Sequence, residues 1–356
     1  MRDLIARIKH AQSRPLDAFQ RILRRGLLHL AGINLSLETE LQYLESGNFL
    51  TKVFSKTQIS ENQLISFAIG QNEYHHSFTP RFTVEITDVI VNTSTNHIYA
   101  IKENSKRLYL LKESTVWPTQ LEIINSRVPI GKPKLVIDEA TLGIPKTGFY
   151  HWVTEDLPRM LHINKDVEVI LYKDTSNVVA EFINSLKRNT CVVDKWVYVK
   201  KLTFVTKGQD LGYIHPEDAK HLRHALGNVQ SNQDLSFERI YVSRRKSRRA
   251  LPNENLIEEY LLSKNFKIIY AEDFSMIEQI HIFQNAKLIV GVHGAGLTNA
   301  IWSLDSTLIE IMPKERINRC FEWQSRICGQ KYEVVYYSVD SFSIEELKTT
   351  LEALIS

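Results

Sequence analysis

The sequence predicts an α/β protein with two domains that face each other across a cleft. From residue 239 onward, short apolar strands alternate with helical segments almost without interruption. A less regular alternation begins near residue 134, and the polar stretch GNVQSNQDLS at 227–236 separates the two. The length of 356 residues fits two domains, since a domain usually has about 100–200 residues.

Composition excludes several classes of protein. With 43% hydrophobic and 24% charged residues, the chain is neither collagenous, coiled-coil nor low-complexity. The net charge of +3 is too small to predict a polyanionic partner by itself. Three widely spaced cysteines, Cys191, Cys320 and Cys328, favour a reducing compartment over a disulfide framework or a zinc site.

Residues 1–36 are predicted to be a separate basic, amphipathic helical segment. Residues 1–30 contain seven arginines and lysines against two aspartates, with apolar residues at mostly helical spacing and a break at Pro15. Such a face can adsorb to an anionic membrane surface, or it can pack on the domain or on a second subunit. Because the chain has no membrane-spanning run and no signal-peptide pattern, we expect a cytoplasmic protein, with peripheral attachment to the inner face of the membrane left open.

The predicted N-terminal domain covers residues 37–230. Two alternating stretches, 83–91 and 97–102, indicate antiparallel strands. Strands and helices then alternate, as is typical of an α/β domain. The predicted strands are 134–138, 167–172 and two within 196–206, and the helices begin near 151 and span about 176–187 and 216–225.

The predicted C-terminal domain covers residues 231–356, and its strands are short and apolar throughout. Such strands, joined by helices, predict a parallel, doubly wound sheet. The predicted strands are 239–243, 266–270, 287–292, 307–311 and 332–337, and the helices are 253–264, 275–286, 296–303, 317–328 and 343–355. The last helix is also a candidate to pack back on the N-terminal domain.

The most informative segment is LIVGVHGAGLTNAIW at 288–302. An apolar strand runs into the glycine turn 293–296, and a predicted helix follows at once. Glycines let a backbone approach a ligand closely, and the N–H groups at a helix start suit an anion such as pyrophosphate. The candidate residues for binding such a ligand are His293, Gly294, Ala295, Gly296, Leu297, Thr298 and Asn299. These glycines could instead serve only to make a tight turn.

Glu310 ends the next strand and suggests a nucleotide rather than free phosphate. An acidic side chain at this place can accept hydrogen bonds from ribose hydroxyls, although a solvated carboxylate is the simpler alternative. The glycine spacing is not that of the dinucleotide fingerprint and falls late in the chain, so a nicotinamide dehydrogenase is disfavoured.

A basic loop follows the first strand of the same domain. The segment RRKSRR at 244–249 has five cations in six residues at a strand's carboxyl end, where ligands bind in open α/β sheets. Arginine binds phosphate through two parallel hydrogen bonds, so Arg244 is the candidate for the diphosphate, with Arg245 in reserve and Lys246 third. The alternatives are a solvated loop or a nucleic-acid patch, and no recognised nucleic-acid module accompanies it.

These residues resemble glycosyltransferase family 61, whose bacterial members include capsular polysaccharide biosynthesis proteins. The resemblance rests on YVSRRKSRR, on the segment ending in HGAGLTNAIW and on LIEIMP, in that order between about 239 and 313. A weaker similarity is GFYHWVTEDLPRM at 148–160. Together they cover less than half the chain.

The resemblance implies a GT-B fold and inverting transfer from a nucleotide sugar, usually UDP-linked, to a glycan or glycolipid acceptor. By position, Arg244 would meet the diphosphate, the backbone of 294–298 would cradle it, and Glu310 would hold the ribose. The acidic residue of the N-terminal motif falls on Glu155, with Asp156 as an extra neighbour.

Three residues are candidates for the catalytic base. His151 and Glu155 lie one helical turn apart on the same predicted face, whereas Asp156 is about 100° further round. Glu155 is the first choice, followed by His151 and Asp156, and a plain structural role for all three remains the alternative. No Asp-x-Asp occurs, so neither a metal nor another cofactor is predicted. The competing functions are a noncatalytic nucleotide-sugar-binding subunit of a glycan assembly complex and a nucleic-acid-binding protein.

Overall fold

A computed structural model describes residues 37–355, with gaps at 70–71, 105–107, 112–132, 144–147, 209–211, 228–233 and 248–249. The predicted N-terminal helical segment lies outside the described residues, as do Arg248 and Arg249 of the basic loop. The described chain has a mixed α/β fold with an eight-stranded sheet, a five-stranded sheet and a two-stranded hairpin. No helix in these ranges combines the length and apolarity that a membrane crossing needs.

The eight-stranded sheet is mixed. Its strands are β1 Val53–Ser60, β4 Arg81–Asn92, β5 His97–Ile101, β6 Leu108–Leu110, β7 Val136–Leu142, β8 Glu168–Tyr172, β9 Thr190–Val193 and β10 Trp196–Val205. Helix α1 Leu37–Ser46 precedes them, and β2 Gln63–Ile69 and β3 Asn72–Phe78 form the separate hairpin. The strand order is β6-β5-β4-β10-β7-β8-β9, with β1 paired to β4. The β4–β5 pair is antiparallel, as the alternating stretches predict, and β10, β7, β8 and β9 run parallel. The region predicted as two strands within 196–206 is the single strand β10.

Three helices follow α1 in the described part of this half of the chain. Helix α2 has three parts, Phe149–His151, a π-helical turn Trp152–Asp156, and Leu157–Leu161; α3 is Asn177–Ser185 and α4 is Pro216–Leu226. Pro158 explains the wide turn in α2, because proline lacks the N–H group and its ring clashes with the carbonyl four residues earlier. Such turns are frequent at functional sites.

The five-stranded sheet is entirely parallel, as predicted, with strand order β12-β11-β13-β14-β15. Its elements are β11 Arg239–Val242, α5 Glu254–Ser263, β12 Lys267–Ile269, α6 Met276–Asn285, β13 Leu288–Val292, β14 Thr307–Pro313, α7 Cys320–Ile327, β15 Lys331–Tyr337 and α8 Ile344–Ile355, with short 3₁₀ turns at Ala271–Asp273 and Lys314–Arg316. The apolar face of α8, formed by Leu347, Leu351 and Ile355, packs in the core of this sheet. The return packing considered for the last helix is therefore not observed.

The segment predicted as an α-helix at 296–303 is instead a 3₁₀ helix, Ala295–Trp302. Leu297 donates its N–H to the Gly294 carbonyl three residues back, and Ser303 does the same to Ala300. Asn299 helps to hold this tighter winding, because it donates to Gln279 and accepts from the Trp302 indole.

One continuous hydrophobic core joins the two halves of the described chain. It runs from Trp152 and Leu157 on α2 to Ile240 in the parallel sheet and to Phe283 and Phe321 on its helices. Helix α2 therefore packs in a core that includes residues of both sheets. Its first turn contacts the 3₁₀ helix 295–302.

A buried polar cluster ties β4 to α4. Arg81 and Asp218 are both fully buried and joined at 2.5 Å, and His162 lies 3.5 Å from the same carboxylate oxygen. Burial alone would raise the pKa of Asp218, but the Arg81 charge lowers it below its usual value. His215 caps α4 by accepting the Glu217 N–H, and burial followed by the Arg81 charge lowers its pKa to about 4.

We expect stability to fall as the pH is lowered from about 6.5 to about 4, the unfolded and folded pKa values of His215. The unfolded chain takes up a proton here that the folded chain resists, so the loss is on the order of 2–3 kcal/mol. Urea unfolding at pH 7.0 and 4.5 measures it. His215→Asn retains a capping group and should shrink the pH difference, whereas the exposed control His224→Ala should leave it unchanged. Equal pH differences in all three proteins would contradict this assignment.

Candidate active site

The glycine turn lies at the carboxyl end of β13, against the side chain of Arg244. The guanidinium donates from Nη1 to the His293 carbonyl. A Cβ placed on Gly294 would lie 2.5 Å from this nitrogen, so the arginine occupies the space that any other side chain would need. The glycine therefore permits close packing of a cation on the turn.

Arg244 is held in place by a buried carboxylate. Glu254 on α5 accepts the backbone N–H of Arg244 at 2.7 Å, and it also accepts from the hydroxyls of Tyr241 and Ser243. It is 2% exposed. Sequence reasoning missed Glu254, although an acidic residue in the first turn of a helix that follows a basic loop was a usable signal.

The other two candidate cations turn onto neighbouring side chains. Arg245 lies 3.3 Å from Glu258 and donates to the Tyr270 hydroxyl, and Lys246 pairs with Asp273. The described part of the basic loop therefore presents Arg244, rather than its neighbours, to the glycine turn.

We expect Gly294→Ala to weaken pyrophosphate binding by about tenfold or more, because the added methyl must displace the Arg244 guanidinium. Isothermal titration measures the affinity. Gly148→Ala is the matched control, since a Cβ there has no atom within 4 Å. Equal affinities for the two variants would show that the position of the guanidinium does not matter for the diphosphate.

His293, Glu310 and Tyr332 form a hydrogen-bonded series beside this turn. The His293 Nδ1 lies 2.5 Å from Glu310 Oε1, and the Tyr332 hydroxyl donates to Oε2 at 2.5 Å. Glu310 is fully buried, while the His293 side chain is 13% exposed. The predicted ribose contact stays a prediction, and it would require this carboxylate to give up one of these partners.

A second histidine–glutamate pair lies on α2. His151 Nδ1 is 2.6 Å from Glu155 Oε1, as their spacing of one helical turn predicts, and the same oxygen accepts the Gly212 N–H at 3.0 Å. Glu155 is 4% exposed, whereas a quarter of the His151 side chain is exposed. Asp156 points elsewhere, as predicted, with Oδ1 3.9 Å from Arg159.

Aromatic side chains connect the two pairs. The Phe321 ring centroid lies 5.4 Å from those of both His293 and Tyr150. The Tyr150 and His151 rings meet edge to face, with their centroids 5.5 Å apart. Cys320 adjoins Tyr150, but burial, followed by the Glu310 charge, raises the pKa of its thiol to about 12. The thiol stays protonated at neutral pH, which argues against covalent catalysis by this cysteine.

A comparison with known protein families finds a match to this part of the chain. A family model described as Glycosyltransferase 61 matches residues 149–315, a span that begins at α2 and ends just after β14. Residues 149–315 form a glycosyltransferase 61 domain. A search of curated proteins finds no match to the chain. Glycosyltransferase activity in general follows from the family.

The glycosyltransferase 61 domain contains every candidate site residue. Leu297, Thr298 and Asn299 can present only their backbone to a ligand, because their side chains are all buried. Gly296 also packs tightly, since a Cβ would lie 3.0 Å from Val242. Sequence reasoning missed Gly212 and Tyr332, whose contacts depend on chain segments distant in sequence.

The described side chains were also compared with the requirements of a metal site. Within the described ranges, no group of three or more histidine, cysteine, aspartate or glutamate side chains is placed to hold an ion.

Proposed function

We propose that the protein is an inverting glycosyltransferase of GT-B type that moves a sugar from a UDP-linked donor to a hydroxyl of an envelope or cell-surface glycan precursor. The observation that carries this proposal is that Phe321 contacts two groups, through the His293 ring of one and through the Tyr150 ring next to the other. On one side lies the glycine turn with its arginine, and on the other the His151–Glu155 pair. One group suits a diphosphate and the other suits removal of a proton.

The donor's diphosphate is proposed to bind at Arg244 and at the backbone of 294–298. A guanidinium offers several N–H donors and a permanent charge, which match phosphate oxygens. Its charge counts most as the diphosphate leaves, because negative charge then develops on the leaving oxygen. Arginine and backbone N–H groups can carry that charge without requiring a metal.

The acceptor's proton is proposed to go to His151. The Glu155 oxygen that faces the ring already accepts the Gly212 N–H, so it acts as a carboxylate acceptor and His151 donates its Nδ1–H to it. That bond fixes the tautomer and leaves Nε2 as the basic nitrogen. We therefore favour His151 over Glu155 as the base and give Glu155 the role of orienting the ring.

The reaction is a single displacement. The acceptor hydroxyl oxygen forms a bond to the anomeric carbon as Nε2 of His151 takes its proton. The bond from that carbon to the donor's phosphate oxygen breaks, and its electron pair stays on the departing UDP beside Arg244. Attack and departure occur on opposite faces of the sugar, so the configuration inverts.

A hydrolysis screen of nucleotide sugars tests this function, because many transferases slowly cleave their own donor. We expect release of UDP from one UDP-sugar by the full chain, at a rate that depends on Arg244. Release of GDP or CMP instead would correct the donor class. The absence of both cleavage and binding, for every nucleotide sugar screened, would overturn the proposal.

A further inference from the structure

We propose that Glu310 and Tyr332 act on the donor's diphosphate through His293, by fixing its imidazole so that Nε2 donates to a phosphate oxygen. This inference rests on the proposed function, and it gives Glu310 a positioning role instead of a contact with the ribose. Glu310 lies in the middle of β14, Tyr332 lies near the start of the neighbouring strand β15, and His293 lies in the glycine turn between β13 and the 3₁₀ helix.

The Glu310 carboxylate has no surface to offer a ligand. It is fully buried, and each of its oxygens already has a side-chain donor at 2.5 Å, one from His293 and one from Tyr332. A ribose hydroxyl could reach it only after the strands around it had opened. Its position in mid-strand, paired in register with Gly291 and Val334, makes such opening costly.

Tyr332 keeps the carboxylate in one orientation. Burial raises the pKa of this phenol, and the Glu310 charge raises it further, so the hydroxyl stays protonated and remains a donor. With Oε2 held by Tyr332, Oε1 is left to face His293. The carboxylate is then a fixed acceptor for Nδ1–H of the imidazole.

The imidazole itself lies where a diphosphate would bind. His293 directly precedes Gly294, and its carbonyl accepts from the Arg244 guanidinium. Its side chain is partly exposed, and Phe321 packs against one part of the ring. With Nδ1 turned inward to Glu310, Nε2 is the ring nitrogen left to meet a ligand. The partner proposed for His151 is a neutral hydroxyl, whereas a diphosphate is an anion that accepts a charge-assisted hydrogen bond from Nε2 of a ring with a hydrogen on both nitrogens.

The proposed role of His293 is to donate a hydrogen bond, and it requires no further reactant. As the sugar–phosphate bond breaks, its electron pair remains on the diphosphate oxygen. The Nε2–H group of His293 bonds to a diphosphate oxygen without giving up its proton, next to the charge supplied by Arg244. Arg244 and the Nε2–H group of His293 would share the developing charge.

A double-mutant cycle with inorganic pyrophosphate and UDP as probes tests this inference, because pyrophosphate has no ribose. We expect Glu310→Gln to weaken pyrophosphate binding by about tenfold. In a His293→Asn background the same change should add less than about twofold, because a residue that acts through another loses its effect when that residue is gone. Glu333→Gln, one residue from Tyr332 but exposed, is the matched control.

If thermal unfolding shows that Glu310→Gln impairs folding, the more conservative variant Tyr332→Phe tests the same inference. It should weaken both probes by a similar factor, whereas the exposed control Tyr336→Phe should weaken neither. A direct ribose contact predicts a different result, with UDP weakened, pyrophosphate unaffected and the His293 and Glu310 changes additive. That result overturns this inference alone, while failure of the wild-type protein to bind either probe overturns the proposed function as well.

Discussion

Replacing His151 with alanine is expected to lower sugar transfer by about 10²–10⁴-fold, the usual contribution of a positioned general base. The affinity for UDP should stay nearly unchanged, because the diphosphate is proposed to bind at Arg244 and at the backbone of 294–298, and not at the His151 ring on α2. Steady-state transfer assays with the donor found in the hydrolysis screen, together with titration of UDP, measure the two quantities separately.

Substitutions of the two neighbouring carboxylates, Glu155 and Asp156, test whether His151 is the base. Glu155→Gln should reduce transfer less than His151→Ala, because glutamine keeps the volume and can still accept from the ring, while the orienting charge is lost. Asp156→Asn should have a small effect, since that side chain faces Arg159. His224→Ala, at an exposed site on α4, is the control for loss of a histidine. Wild-type transfer in His151→Ala, with activity lost in Glu155→Gln, would return the base to Glu155.

Removing the Arg244 guanidinium is expected to lower turnover by about 10²–10³-fold, as for other groups that stabilise charge developing in a transition state. The affinity for the intact donor should fall by less, because the charge on the leaving diphosphate grows as the bond breaks. The Arg244→Ala variant, assayed for both kcat and KM, measures this split. Added guanidinium ion should restore part of the turnover, since the variant leaves a space beside Gly294.

The adjacent cation is the matched control. Arg245→Ala should cost little, because Arg245 is bound to Glu258 and Tyr270 instead of the glycine turn. Equal losses in the two variants would mean that the whole basic loop, and not one side chain, carries the effect. Activity that is abolished by a chelator and restored by Mg²⁺ would contradict a leaving group stabilised by arginine and backbone alone.

Much of the fold could be predicted from local sequence. The strands of the parallel sheet are short, apolar and separated by helical segments, so each one is recognisable by itself, and the run LIVGV at 288–292 leads into a visible glycine turn. The pairing of His151 with Glu155 also follows from helical spacing. The 3₁₀ winding of 295–302 does not, because it depends on Asn299 meeting Gln279 on another helix.

The residue types that could do the chemistry are visible in local sequence: a glycine turn after one strand, an arginine after another, and a histidine and a glutamate one helical turn apart. Their arrangement comes from the packing of distant elements against each other. This packing places Arg244 on Gly294, buries Glu310 between His293 and Tyr332, and brings the Gly212 N–H to Glu155. These contacts join segments far apart in the chain, and burial and hydrogen-bond partners depend on packing between elements, which no local pattern encodes.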